Sequence, residues 1–342
     1  MPIETQAVGN RAVSLPTRNP FLFEALLREN QLASAAIRHF QAQQMTETNR
    51  THLDKSMYLG QHLLAEFTVR SVQLNSNQFE KLIRDAAILS GATILCSRFF
   101  QNKINGNISG IVVIEESHFS VHYLRDQHFI ALDAYTCGHI NLNAAVEHIK
   151  LKLRESPYDK IEFKRGIRKK DEDAFIPGIA LLRGSTLGFF SPGKQLNNAS
   201  LGQHVVAEFY YCDPGRINSS EFVLNHFRES LEANALPIKF NYVHQFQPQG
   251  ISAVIIGNGY HLTVHDWPEH AYAAMDLCMF DDKVEPQKIM LSLAEEFQSQ
   301  KAVCYQFPRG SYEGHHRQLQ PVFPLLEARQ QAEPIYYGPQ LK

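Results

Sequence analysis

Residues 59–67 read LGQHLLAEF, and residues 201–209 read LGQHVVAEF. Seven of the nine positions are identical, and both changes replace Leu by Val. The offset is 142 (201 − 59). Downstream the match continues at 143, pairing Ser109 with Ser252, His122 with His265 and Asp133 with Asp276. It closes at 144, where Arg165-Gly166 meets Arg309-Gly310. An offset this steady over a hundred residues marks an internal duplication, so the fold is that of one unit used twice.

Each copy carries the same series of periodicities. An apolar opening (63–69; 205–211) reads as a strand, and a helix-period stretch follows at 78–90, matched by 221–233. Then come three strand-like runs, 111–114, 119–123 and 129–135, with counterparts 253–256, 260–264 and 272–277. A second helix is expected at 142–153 and at 286–297, where Pro286 suits a first helical turn. Strands with two helices per copy predict a two-layer α/β unit whose antiparallel sheet has one helix-covered face. The bare face needs cover, and the other copy's sheet is the obvious partner. The expected class is therefore α+β, a helix–sheet–sheet–helix (αββα) sandwich.

Outside the copies the readings are coarser. Residues 1–55 form an N-terminal extension with one helix expected over 20–44, capped by Asn19. Copy one spans 56–166 and copy two 201–310, with 167–200 as linker and 311–342 as tail. The charge-rich FKRGIRKKDED run (163–173) reads as solvated linker, as does the Gly/Ser/Pro-containing stretch 184–200. The tail holds four prolines and little periodicity.

Composition narrows the function classes. With 33 Lys and Arg against 35 Asp and Glu, the net charge is −2, which argues against a nucleic-acid binder. The apolar runs are strand-sized, far below the roughly 18 residues of a membrane span. No basic-then-apolar opening marks a signal peptide. Five scattered cysteines without a CxxC pair indicate neither a disulfide framework nor a cysteine zinc site. The expectation is a soluble cytoplasmic protein without nucleic-acid or membrane partners.

The chemistry lies in what the copies do not share. Copy one has Glu116-Ser117-His118-Phe119-Ser120-Val121-His122, with Cys137 twenty residues after Ser117 (137 − 117). Copy two has Gly259-Tyr260-His261 there, and Phe280 at the cysteine position. His118 and His122 form an HxxxH, but on a strand four residues span about 13 Å, too far for one metal, so no metal is expected.

The run from Ser109 to His122 (SGIVVIEESHFSVH), with Thr136-Cys137-Gly138, resembles the self-cleavage block of the S-adenosylmethionine decarboxylase family of pyruvoyl enzymes. Copy two keeps another part of the signature in Pro248-Gln-Gly-Ile-Ser252 and His265-Asp-Trp-Pro-Glu269. The resemblance covers both copies, roughly 59–166 and 201–310, as a tandem fusion of two prokaryotic-type subunits. It implies cleavage between Glu116 and Ser117, leaving chains of 116 and 226 residues (342 − 116). Ser117 would become the pyruvoyl group, the self-made cofactor, which forms a Schiff base with the substrate amine and acts as electron sink. Cys137 matches the family's proton donor. Phe246 matches the aromatic that stacks on adenine, and Glu269 the ligand of the ribose hydroxyls. Ser252 and His265 match the pair that promotes processing from across the interface. One composite site is expected, with Glu116, Ser117 and Cys137 facing Phe246, Ser252, His265 and Glu269. The reciprocal site of Tyr260, Phe280, Ser109 and His122 should be dead, with Ser109 and His122 keeping structural hydrogen bonds and a processing role left open for both.

The resemblance thus implies decarboxylation of S-adenosylmethionine to the aminopropyl donor for spermidine synthesis, by a monomeric pseudo-dimer or a homodimer. Two alternatives stand beside it. One is a pyruvoyl-dependent decarboxylase of a basic amino acid such as arginine or ornithine, against which Phe246 and Glu269 speak. The other is a non-catalytic regulatory homologue, against which the intact Glu116-Ser117 and Cys137 speak.

Overall fold

Copy one begins with strand β1 (Ser56–Thr68), whose alternation sorts its side chains cleanly. Leu63, Ala65 and Phe67 enter the core beneath the helices, while His62, Leu64 and Glu66 are buried against the other copy. Helix α1 (Ser76–Leu89) follows, opened by a reciprocal capping box between Asn75 and Gln78. It buries Phe79, Leu82, Ile83, Ala86 and Ala87, the i, i+3, i+4, i+7, i+8 stripe of an amphipathic helix. Then come β2 (Ile94–Gln101), β3 (Ile108–Ile114), β4 (Ser117–Leu124), β5 (Phe129–Thr136), α2 (Leu142–Lys152), β6 (Tyr158–Lys169) and the short β7 (Ala180–Leu181).

Copy two repeats the series as β8 (Ser200–Tyr210), a one-turn α3 (Pro214–Ile217), α4 (Ser220–Ala233), β9 (Ile238–Gln245), β10 (Ile251–Gly257), β11 (Tyr260–Trp267) and β12 (Tyr272–Met279). It ends with α5 (Pro286–Glu296), β13 (Lys301–Ser311) and β14 (Gln320–Pro324). These assignments come from a computed structural model that describes residues 56–69, 74–154, 158–169, 174–182, 200–281, 283–311 and 320–324. The helix expected over 20–44 lies outside the described residues. So does nearly all of 184–200, although Ser200 itself opens β8.

The strands form two seven-stranded sheets, β2-β3-β4-β5-β1-β6-β7 and β14-β13-β8-β12-β11-β10-β9, with every pairing antiparallel. Each packs its helices on one face and the other sheet on the opposite face, giving the αββα sandwich. Between the sheets lie four small apolar clusters among the described residues. One joins Leu64, Ile161 and Phe163 to Val206 and Phe307, and another joins Ile111 and Val113 to Val254 and Ile256. A third joins Tyr135 to Tyr210, Tyr272 and Ala274, and a fourth sets Leu124, Phe129 and Ala131 against Leu201 and Phe280.

Other parts of the interface are polar. Arg165, fully buried, donates from Nε to Glu208 Oε1 at 2.5 Å and from Nη2 to the carbonyls of Ala207 and Met275. Arg309, equally buried, donates from Nε to Glu66 Oε1 at 2.9 Å and from Nη2 to the carbonyls of Ala65 and Leu132. Each copy thus inserts one arginine into the other's sheet, onto equivalent partners.

This overturns the reading of 163–173 as a solvated linker. Residues 163–169 belong to β6, which pairs with β1, and Phe163 and Arg165 are core residues. The charge density that looked like a solvated face belongs partly to an internal ion pair. The tail also differs from expectation, since β14 adds a strand to β13.

The corrected reading has a measurable consequence. Arg165→Ala leaves the Glu208 carboxylate buried without its cation and is expected to cost about 3–5 kcal/mol of unfolding free energy. Lys103→Ala, at an exposed loop position, should stay within about 0.5 kcal/mol of the parent in the same denaturant titration. Equal, negligible effects would restore the linker reading.

Candidate active site

The hairpin joining β3 to β4 differs between the copies in a way that bears on chemistry. In copy two, Gly257 pairs with Tyr260 and the chain turns through Asn258-Gly259. Gly259 takes a φ of +76°, which costs glycine little. In copy one, Ile114 pairs with Ser117 and the turn is Glu115-Glu116, without a glycine. The positive φ moves to Ser117, at +143°, a region that residues with a Cβ rarely enter. Backbone strain therefore sits at the Glu116–Ser117 junction.

Surrounding groups converge on that junction. The Glu116 carbonyl oxygen accepts from the Cys137 backbone N–H at 2.9 Å and from the Cys137 thiol at 3.3 Å. The Glu116 carboxylate accepts from the Thr93 N–H at 3.1 Å. Thr136 fixes the following turn by accepting from the Gly138 N–H through Oγ1. Gly138 itself is required by close approach, because a Cβ there would lie 2.7 Å from Glu116 Cγ. Cys137 is exposed, yet burial of its thiol within the turn, with the Glu116 charge beside it, pushes its pKa up and keeps it protonated.

Ser117 is only 1% exposed, and its Oγ lies 2.9 Å from His265 Nε2 and 3.2 Å from His118 Nδ1. His265 Nδ1 lies 2.7 Å from Ser252 Oγ. Burial, together with the nearby His118, holds the His265 pKa well below its ordinary value, so the ring is neutral at neutral pH. The tautomer that donates Nδ1–H to Ser252 turns the Nε2 lone pair toward the Ser117 hydroxyl. This Ser252–His265–Ser117 series of contacts spans both copies.

Phe246 and Glu269 lie beyond the relay. The start of β4 packs over the end of β11, so the segment after His265 leaves the sandwich at the end where Ser117 begins its strand. Half-buried Phe246 packs against His244, with ring centroids 4.6 Å apart. Exposed Glu269, in the 3-10 turn Pro268–His270, accepts from Gln249 Nε2 at 3.3 Å. A polar recess lined by Tyr58, Gln61, His139 and Asn141 opens beside Gly138.

The reciprocal position keeps the same arrangement with Tyr260 in place of Ser117. His122 Nδ1 lies 3.1 Å from Ser109 Oγ, and its Nε2 lies 2.9 Å from His261 Nδ1. Ser109 also accepts from the Gly259 N–H, and the Phe280 ring fills the space beside His122.

The S-adenosylmethionine decarboxylase family model matches residues 61–166 and 203–310. The chain belongs to this family. Curated relatives resemble one copy's length of it. The S-adenosylmethionine decarboxylase proenzyme of Fervidobacterium nodosum is 37% identical over 114 residues, covering 33% of this chain and 83% of its own. That of Oceanobacillus iheyensis is 34% identical over 110 residues, covering 32% and 87%. The crystal structure of the adenosylmethionine decarboxylase from Aquifex aeolicus overlays with a TM-score of 0.32 at 24% identity, covering 34% of this chain and 97% of that one.

Around Ser117 the structure gathers further ionisable residues, to most of which the motifs gave no role. His62, His118, His204 and His261 surround the carboxylates of Asp133 and Asp276, all buried between the sheets. Burial opposes ionisation of both aspartates, but the surrounding imidazoles outweigh it and hold both pKa values well below the ordinary carboxylate range. Burial lowers His204 to about 4. The available signal was the recurrence of His and Glu on one face of LGQHxxAEF, polar groups repeated inside apolar strands.

The strain at Ser117 is separable from its hydroxyl. Ser117→Ala and Ser117→Gly both lack the nucleophile, but only glycine relaxes at positive φ. The glycine variant is expected to be more stable by about 1–3 kcal/mol in chemical denaturation. The reverse order, as in ordinary strands, would mean that the hairpin carries no strain.

Proposed function

We propose that the chain is a self-processing, pyruvoyl-dependent S-adenosylmethionine decarboxylase, cut between Glu116 and Ser117, whose product is the aminopropyl donor for spermidine synthesis. Family membership supports the decarboxylase activity. The observation that carries the processing reading is the placement of Ser117 Oγ 2.9 Å from His265 Nε2 on a strained junction.

In this reading, processing uses these contacts. His265 Nε2 takes the Ser117 hydroxyl proton as Oγ attacks the Glu116 carbonyl carbon. The Cys137 N–H and thiol, already donating to that carbonyl oxygen, stabilise the charge it gains. The Glu116–Ser117 C–N bond then breaks, protonating the amine and leaving Glu116 esterified to Ser117 Oγ. Loss of the Ser117 α-proton expels the Glu116 carboxylate from Cβ. The resulting dehydroalanine tautomerises to an imine, and water releases ammonia to leave a pyruvoyl terminus. The site suits that product, since the Cys137 thiol and the His265 imidazole flank residue 117 from opposite copies.

The pyruvoyl group supplies a carbonyl electron sink for decarboxylation of an amine-bearing substrate. The protonated Cys137 thiol would return a proton where carbon dioxide leaves. Phe246 offers a face for the adenine, and Glu269 a carboxylate for the ribose hydroxyls. Neither group would serve arginine or ornithine. Pseudo-twofold pairing within one chain supplies what two subunits would, and the free cysteines among the described residues suit a reducing, cytoplasmic setting.

Mass spectrometry of the purified chain should find fragments of 116 and 226 residues (342 − 116), the larger with a blocked terminus. Borohydride reduction with S-adenosylmethionine should trap an adduct on it. Ser252→Ala and His265→Ala should slow cleavage by about 10²-fold or more, while Ser109→Ala and His122→Ala leave it within a few-fold. An intact native chain would overturn the enzymatic reading, and cleavage without an adduct would point to another amine. The opposite pattern among the four variants would move the processing centre to the other relay.

A further inference from the structure

The space between the sheets contains a concentration of ionisable groups that the processing chemistry does not use. On the pseudo-twofold, His118 meets its counterpart His261, and Asp133 meets Asp276. One ligand-type atom from each of these four fully buried residues lies within 4.8 Å of all the others. His261 Nε2 is 2.9 Å from Asp133 Oδ2 and 3.4 Å from Asp276 Oδ2; His118 Nε2 is 3.4 Å and 4.0 Å from the same two atoms. Tetrahedral zinc with bonds of about 2.0–2.2 Å separates neighbouring ligand atoms by about 3.3–3.6 Å, a spacing these distances bracket.

One further observation points into the same space. Asp276 Oδ2 is a fully buried polar atom without a hydrogen-bond partner among the described residues.

We propose that His118, His261, Asp133 and Asp276 bind one divalent cation of the zinc class, which links the two copies at their pseudo-twofold axis. The surrounding groups are arranged as a metal's outer shell requires. His62 and His204 each face an arginine through Nδ1, so their Nε2 atoms carry protons and serve as donors rather than ligands. His62 donates to Asp133 Oδ1, leaving Oδ2 for the cation. Coordination through Nε2 fixes the protons of His118 and His261 on Nδ1. The first then donates to Ser117 Oγ or His265 Nε2, and the second to His122 Nε2 or Ser120 Oγ. The cation therefore positions the Ser117 relay by settling its tautomers, without touching the scissile bond. His122 falls in a different group, with His261 and Cys278.

The proposal does not depend on the decarboxylase reading, and its test reads metal rather than turnover. Full-length protein dialysed against metal-free buffer should retain about one zinc per chain by elemental mass spectrometry. Protein refolded with cobalt should show the visible absorption of a four-coordinate site. Asp276→Asn and His261→Gln should lose both signals, while His226→Asn, on α4, keeps them. If those two variants fail to fold, the native stoichiometry and cobalt spectrum decide alone. Metal near zero in the native chain, unchanged after refolding with excess zinc and with no cobalt band, would overturn the site. Retention of metal by both folded site variants would do the same.

Discussion

The exchange of arginines between the copies is the constraint on which the sandwich depends. Arg165 reaches Glu208 and Arg309 reaches Glu66, each also capping two carbonyls of the opposite sheet. A buried guanidinium satisfied in this way tolerates little sliding, because a shift of one residue would leave charges and carbonyls unpaired together. An apolar interface alone would leave the register of two stacked sheets less sharply specified. The clamps set that register, and with it the approach of His265 to Ser117 within hydrogen-bonding distance.

The same duplication allows two hairpins of different energy. Copy two relaxes through Asn258-Gly259, while copy one carries Glu115-Glu116 and a strained Ser117. Strain at a single bond persists only where the surroundings over-determine it. Here β4 is paired on both sides, with β3 and β5. The Cys137 turn further holds the Glu116 carbonyl in place. The degenerate copy has retained the paired strands and relaxed the turn.

Much of this was readable from the residues. The repeat, the order of strands and helices, and the asymmetry between Ser117/Cys137 and Tyr260/Phe280 all lay in the spacing. The edge strands β2 and β9 were harder to read, because sequences such as ILCSRFFQ mix polar and apolar residues without clean alternation. Arg165 was masked by its neighbours. Within FKRGIRKKDED a buried arginine and its solvated companions have the same composition, and only the partner on β8 distinguishes them. Its recurrence as Arg309, in the dissimilar context FPRGSYE, was the one sequence clue that the position is structural. Asp133 and Asp276 likewise served as markers of the repeat before the structure placed them facing each other.

The strand order has a consequence for molecularity. A cut between Glu116 and Ser117 assigns β1, β2 and β3 to one polypeptide and all later strands to the other. In the sheet order β2-β3-β4-β5-β1-β6-β7, the pair β4-β5 then lies between strands of the shorter polypeptide, and β1 between strands of the longer one. The fragments are interleaved rather than apposed, so neither can leave without opening the sheet on several sides. For a chain so cut, unfolding would change from a unimolecular event into a dissociation, and reassembly would acquire a dependence on concentration that the uncut chain lacks.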